Sequence, residues 1–183
     1  MKINSLVLVG VAFAAIACSL AQEGAAARQE FTNRNLSKKD FSGQELEGAS
    51  FLRVKLDNVQ FGGADLSDAT FQQCLLKGAI FRGAIFGPRT RFKECTLHEA
   101  DFAGVDLKGA DFSRVNLRGA NLANTKGWGE LTDCTFAEAD LRGADFSTAE
   151  GDLGSVQWSG AIYDNNTVFP KGFDIEDAGM VKK

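Results

Sequence analysis

The side chains of this sequence with intrinsic reactivity are few: one histidine, His98, four cysteines, Cys18, Cys74, Cys95 and Cys134, and a recurring set of aspartates, Asp65, Asp101, Asp106, Asp111, Asp140 and Asp145. A histidine does nucleophilic chemistry when it activates a hydroxyl or thiol within hydrogen-bond reach. His98 lies in an outward-pointing slot with no cysteine or serine forced beside it, so no triad is implied. Structural zinc calls for closely spaced cysteine and histidine ligands, and these cysteines are scattered. Calcium would need a dense oxygen cluster, whereas the aspartates recur one by one at regular intervals. The glycines are equally regular and form no phosphate-cradling loop. These residues point to no catalytic site, no metal and no cofactor.

Their regularity comes from the element that positions them. From Phe31 a large apolar residue returns every fifth position: Phe31, Leu36, Phe41, Leu46, Phe51, Leu56, Phe61, Leu66, Phe71, Leu76, Phe81 and Phe86. That period fits neither an α-helix nor a simple strand. It marks a solenoid whose short units bury their apolar side by stacking on one another. Two residues before each large one stands a small apolar residue, as at Ala49, Val54, Val59, Ala64, Ala69, Cys74, Ala79 and Ala84. Polar residues or glycine fill the rest, as in Ala64-Asp65-Leu66-Ser67-Asp68 and Ala120-Asn121-Leu122-Ala123-Asn124.

These units resemble the pentapeptide-repeat family, whose unit reads Ala-Asp/Asn-Leu/Phe-x-x, over the span from Phe31 to Tyr163. The resemblance implies an all-β fold, a right-handed quadrilateral parallel β-helix with one pentapeptide per side and both apolar positions facing inward. The sequence adds its own support for an even number of sides. Phe and Leu alternate along the large position, so four sides place like residues in vertical register, with two pure Phe columns facing Leu columns. At the usual strand spacing of about 4.8 Å, the repeats make roughly six and a half coils and a rod of roughly 31 Å.

Three slips interrupt the frame. One extra residue falls near Gly87-Pro88-Arg89-Thr90-Arg91, a larger insertion is expected around Lys126-Gly127-Trp128-Gly129, and two extra residues fall near Glu150-Gly151-Asp152. All three read as corner loops, where a rod could carry specificity. Gly43, Gly63, Gly83 and Gly104 fall on one edge, where tighter type II turns are expected. The segment from Gly160 to Asp174 resembles a closing segment of cyanobacterial and plastid-lumen members, with Phe169 and Phe173 as a lid.

The chain divides into a leader at 1–21, a flank at 22–30, repeats at 31–163 and a cap and tail at 164–183. Lys2, the apolar run from Leu6 to Ile16 and Ser19-Leu20-Ala21 form a signal-peptidase pattern with cleavage before Gln22. The alternative is a lipoprotein signal with Cys18 as the acylated residue, the one route to a membrane. Export to a periplasm follows from the leader, and a thylakoid-lumen-like compartment from the resemblance. The composition, 44% hydrophobic and 24% charged with two prolines, suits one folded domain.

Removing the leader takes away only Lys2, leaving 19 basic against 24 acidic side chains and a net charge of −5. No basic stripe for nucleic acid is visible: Arg91 falls near Asp111 and Asp106 near Lys126. Family members that act on gyrase by mimicking DNA imply a strongly acidic face, and mixed signs argue against one here. Cys74 and Cys95 share a column on successive coils, at a spacing compatible with a disulfide although parallel side chains make the torsion hard to reach. Packing as small hydrophobes is the default reading of these inward positions.

One departure from the repeat carries the functional reading. The outward slot before the large residue holds Leu75, Ile80 and Ile85 in consecutive units. They form an apolar girdle, the candidate contact for an unidentified protein partner or a second copy, unless the chain's own loop or tail covers it. The sequence therefore reads as an exported, non-catalytic binding or structural solenoid. The other class, an enzyme or small-ligand binder, would have to use the loops near Pro88, Trp128 and Asp152.

Overall fold

The computed structural model describes residues 28–183; the proposed leader, Cys18 and most of the flank lie outside them. The described chain is a four-sided parallel β-solenoid. Its strands are β1 (Glu30–Thr32), β2 (Ser50–Leu52), β3 (Thr70–Gln72), β4 (Arg91–Lys93), β5 (Asp106–Ala110), β6 (Lys126–Trp128), β7 (Ile162–Tyr163) and β8 (Val181–Lys182). On the first face β1 to β4 pair in parallel, with Phe31, Phe51, Phe71 and Phe92 in register. The second face runs Asn35, Lys55, Leu75, Thr96, Asn116, Thr135, Gln157 and the third Asp40, Gln60, Ile80, Asp101, Asn121, Asp140, Ile162. The third face gains one more rung where β7 pairs with β8. Coils number about eight, more than the repeats at 31–163 alone supply, because 164–183 keeps winding.

The interior is a filled stack. Phe51, Phe61, Phe71, Phe81, Phe92, Phe102 and Phe112 are fully buried, as are the leucines and small residues between them. Rings within a column stack nearly parallel, with centroids 4.6 Å apart for Phe51 and Phe71 and 4.7 Å for Phe71 and Phe92. The two Phe columns stand opposite each other and touch edge to face, as at Phe51–Phe61 (5.9 Å) and Phe61–Phe71 (5.8 Å). The expectation that Phe columns face Leu columns is thus corrected: ten residues are two sides of a square, so residues ten apart lie across the core. Edge-to-face contact is also what the ring quadrupoles prefer.

The turns follow from the repeat. The consensus aspartate accepts a hydrogen bond from the backbone N–H two residues on, at 2.9 Å for Asp40–Ser42, Asp65–Ser67, Asp111–Ser113 and Asp145–Ser147. This Asx turn is the structural role of the repeated carboxylates. The position two after the large residue has positive φ at Gly43, Gly63, Gly83 and Gly104, as expected. Asn33, Lys38, Arg53, Asp68 and Glu99 adopt the same conformation on other edges. With the closing bond, as at Gln44 N–H to Phe41 O (3.1 Å), the turns are type II, and they occur on the second and fourth faces as well as the glycine edge.

Two of the three slips have the predicted character. The Pro88 corner is closed by Thr90, whose buried hydroxyl donates to Leu66 O (2.9 Å) and accepts from Gly87 N–H (3.1 Å). The extra residues near Asp152 form a short 3-10 turn, Leu153–Ser155, capped by Asp152. The third is corrected. No loop bulges at 126–129: this coil is short, and β6 turns through Gly127, at positive φ, in three residues where β5 takes five, so that Asp106 pairs with Lys126 while Ala110 pairs with Trp128. Trp128, buried, packs on Phe112, Phe136 and Phe146 at 5.6, 5.4 and 4.8 Å. Beyond it the aromatic residues change faces, from the first and third to the second and fourth, as Phe136, Phe146, Trp158 and Phe169 show. Each coil still carries two or three aromatic rings, which keeps the core filled at constant width.

Candidate functional site

The girdle occupies one coil as the spacing requires. Leu75 lies on the second face between Lys55 and Thr96, Ile80 on the third between Gln60 and Asp101, and Ile85 on the fourth beside Asp65. Leu75 is 44% and Ile85 52% exposed, and Ile80 is half-buried. No other described segment of the chain covers Leu75 or Ile85. Because the second and fourth faces are opposite, the three side chains do not form a flat patch. A partner reaching all of them must embrace three sides of the rod, and a flat one meets two at most.

The surroundings are polar and of mixed sign. Arg82 pairs with Asp101, Lys77 with Glu99 (3.3 Å) and Arg118 with Glu138 (2.7 Å). The sequence-level pairings hold: Arg91 is in register with Asp111, and Lys126 Nζ is 3.6 Å from Asp106. Exposed pairs of this kind contribute little stability but set the local field. Hydrogen bonds from Ser42 and Ser147 hold the Asp40 and Asp145 carboxyls below their ordinary values, and the Arg142 guanidinium does the same to Asp140.

Cys74, Cys95 and Cys134 are buried, unbonded thiols. Cys74 and Cys95 are neighbours on successive coils, and their Sγ atoms donate to Phe51 O (3.3 Å) and Phe71 O (3.4 Å). The Cys74 contact and burial push the Cys95 thiol well above its usual value, and burial pushes Cys134 up to about 12. Thiols so held are packing groups rather than nucleophiles. His98 Nε2 is buried without a partner. Among the described residues, no group of three or more His, Cys, Asp and Glu could hold a metal ion.

The loops of the alternative reading do not converge. Pro88 and Trp128 lie on the corner between the fourth and first faces, about 10 Å apart at two rungs' separation, and Asp152 lies toward the second face. The turn after Asp152 borders a cavity of about 720 Å³ at the end of the rod. Sequence reasoning missed this cavity, although Trp158 in a large position beside a two-residue insertion was its visible sign.

Comparison with known proteins agrees with the architecture. The family described as pentapeptide repeat region matches residues 26–102, and that described as pentapeptide repeats (8 copies) matches 89–126 and 130–151. Among solved structures, the chain is similar to HetL, a pentapeptide repeat protein involved in heterocyst differentiation regulation from the cyanobacterium Nostoc sp. strain PCC 7120. Identity is 20%, with 85% of this chain and 72% of that chain covered and a TM-score of 0.60. A pentapeptide repeat protein of the Arabidopsis thaliana thylakoid lumen is 32% identical over 67% of this chain and 71% of that chain, with a TM-score of 0.36. QnrB1, a plasmid-mediated fluoroquinolone resistance protein, is 21% identical over 85% and 89%, with a TM-score of 0.35. No curated protein matches the chain.

Proposed function

Because the chain belongs to the pentapeptide-repeat family, we propose that it is an exported, non-catalytic module that holds a protein partner through Leu75, Ile80 and Ile85. The observation that carries this reading is the exposure of Leu75 and Ile85 in slots that the repeat otherwise gives largely to polar residues. What sets them apart from singly exposed residues such as Val168 and Val181 is that three consecutive units of one coil carry them, and apolar surface grouped in this way is what marks a contact. The non-catalytic part rests on how the reactive groups are used: the consensus aspartates close turns and the thiols fill the interior. Export rests on the leader pattern at 1–21 and carries the protein to a periplasm or a lumen-like compartment, with acylation at Cys18 as the anchored variant. A DNA-mimic role is disfavoured by the alternation of Asp101 and Asp140 with Arg82 and Arg142 on the third face.

The test is the double variant Leu75→Lys, Ile80→Lys. Both positions face outward, so the fold is retained, with an unchanged circular dichroism spectrum. Loss of partner binding or of self-association, measured by sedimentation and by co-purification from the native compartment, is the expected result. A folded variant that keeps the wild-type association state and the same partners would overturn the proposal.

A further inference from the structure

The last coil is incomplete, and it leaves a ladder open. In the coils below, on the second face, each large residue donates its N–H to the coil above, and the small residue two before it accepts from that coil. Phe136 N–H reaches Gln157 O (2.8 Å) and Gln157 N–H reaches Cys134 O (3.0 Å); Leu117 and Val115 bond Thr135 in the same way, at 2.8 and 3.1 Å. The equivalent groups on the next rung are Trp158 N–H and Val156 C=O. Among the described residues neither has a main-chain partner. The chain that passes above them, 170–178, turns on itself, with Phe173 N–H bonded to Pro170 O (3.1 Å). Pairing resumes only where Gly160 N–H meets Gly179 O (2.9 Å).

The gap is the 720 Å³ cavity, with Leu153, Val156, Trp158, Pro170, Phe173 and Ala178 in its lining. Trp158 is 5% exposed, and its ring lies on Phe136 (4.8 Å) with Phe173 against it at 5.2 Å. Its indole N–H is buried without a partner, and an unmet buried donor is costly. Asp174 and Asp177, against Lys171, give the lining a negative balance.

We propose that this cavity receives an extended peptide segment of a partner protein, which adds as the missing strand. One peptide residue would give its N–H to Val156 O and take Trp158 N–H on its carbonyl, as Gln157 does one rung below. Its two neighbours would then turn their side chains inward over Trp158 and Phe173, because side chains alternate along a strand. Apolar residues suit those two positions, and a Lys or Arg outside them meets Asp174 and Asp177. The site is distinct from the girdle, so neither proposal depends on the other.

The probe is an array of capped pentapeptides with Leu or Phe at the second and fourth positions and Lys or Glu at the ends. Binding to the mature protein is measured by calorimetry. Lys-ended peptides are expected to bind best, and N-methylation of the central residue should weaken the best one roughly tenfold, the worth of one charge-free hydrogen bond. Phe173→Ala and Asp177→Lys should each weaken it too, whereas Leu75→Lys, Ile80→Lys should leave it unchanged. Failure of every peptide to bind, or equal binding of the N-methylated peptide, would overturn the proposal.

Discussion

Replacing Gly129 by alanine tests the account of the short coil. A Cβ at this position would lie 2.4 Å from Gly109 O, 2.6 Å from Gly109 C and 2.8 Å from Ala110 O. All three are backbone atoms, so no side chain can swing aside, and the relief must come from parting two rungs. That parting strains the bonds from Glu150 N–H to Gly129 O and from Phe112 N–H to Glu130 O, both 2.9 Å, and pulls Trp128 off Phe112. Overpacking costs about 1–3 kcal/mol where neighbours adjust, so about 3 kcal/mol or more is expected here. For a chain of this length that lowers Tm by about 6–12 °C. Gly104→Ala is the control: its φ is +71° with open space around it, so only the left-handed conformation is penalised, by about 1–2 kcal/mol. Urea unfolding followed by circular dichroism and by the fluorescence of Trp128 and Trp158 measures both. A Gly129→Ala protein within about 0.5 kcal/mol of wild type, well inside the overpacking range, would refute the close contact between these coils.

Phe71→Ala should cost about 3–5 kcal/mol, because the ring is fully buried between Phe51 and Phe92, and denaturant titration reads the loss. Acid should destabilise the fold. The folded-state carboxyls of Asp40, Asp140 and Asp145 titrate below their unfolded values, so their contribution is complete above the ordinary carboxylate range and is lost as pH falls through the lower folded values. Tm measured from pH 7 to pH 2 should therefore be flat at first and drop below about pH 4; a Tm that rises there contradicts the Asx-turn role. Cys74, Cys95 and Cys134 should resist a thiol reagent in the native protein and react as three free thiols once it is denatured; one lost pair would reveal a Cys74–Cys95 disulfide. Mass spectrometry of the mature N-terminus should find Gln22, and an acylated Cys18 would mean an anchored protein.

Much of the fold was legible because a five-residue period has few physical solutions. The Phe31 and Leu36 series set an even number of faces, the family resemblance made it four, and the two together placed Leu75, Ile80 and Ile85 on one coil. The opposition of the Phe columns was implicit in the same numbers and needed only the geometry of a square. What escaped sequence reading depends on substitution of one unit's role by another. Trp128 stands opposite the small residue Ala110, in a coil one residue short whose large position falls on Gly127, so the count alone resembles an insertion. Lys38, Arg53 and Glu99 adopt a conformation usually signalled by glycine, because the turns on those edges demand it. Tail residues 170–178 carry no repeat, so nothing in their sequence says that they wind on without pairing above Trp158.

The proposed contact is tested most directly by a photo-cross-linking residue placed at position 80 or, one rung below on the same face, at position 60. Irradiation in the native compartment should join position 80 to a protein, or to a second copy, with little product from position 60. Equal labelling at the two positions, or none at 80, would contradict the claim that the apolar coil is where this rod is held.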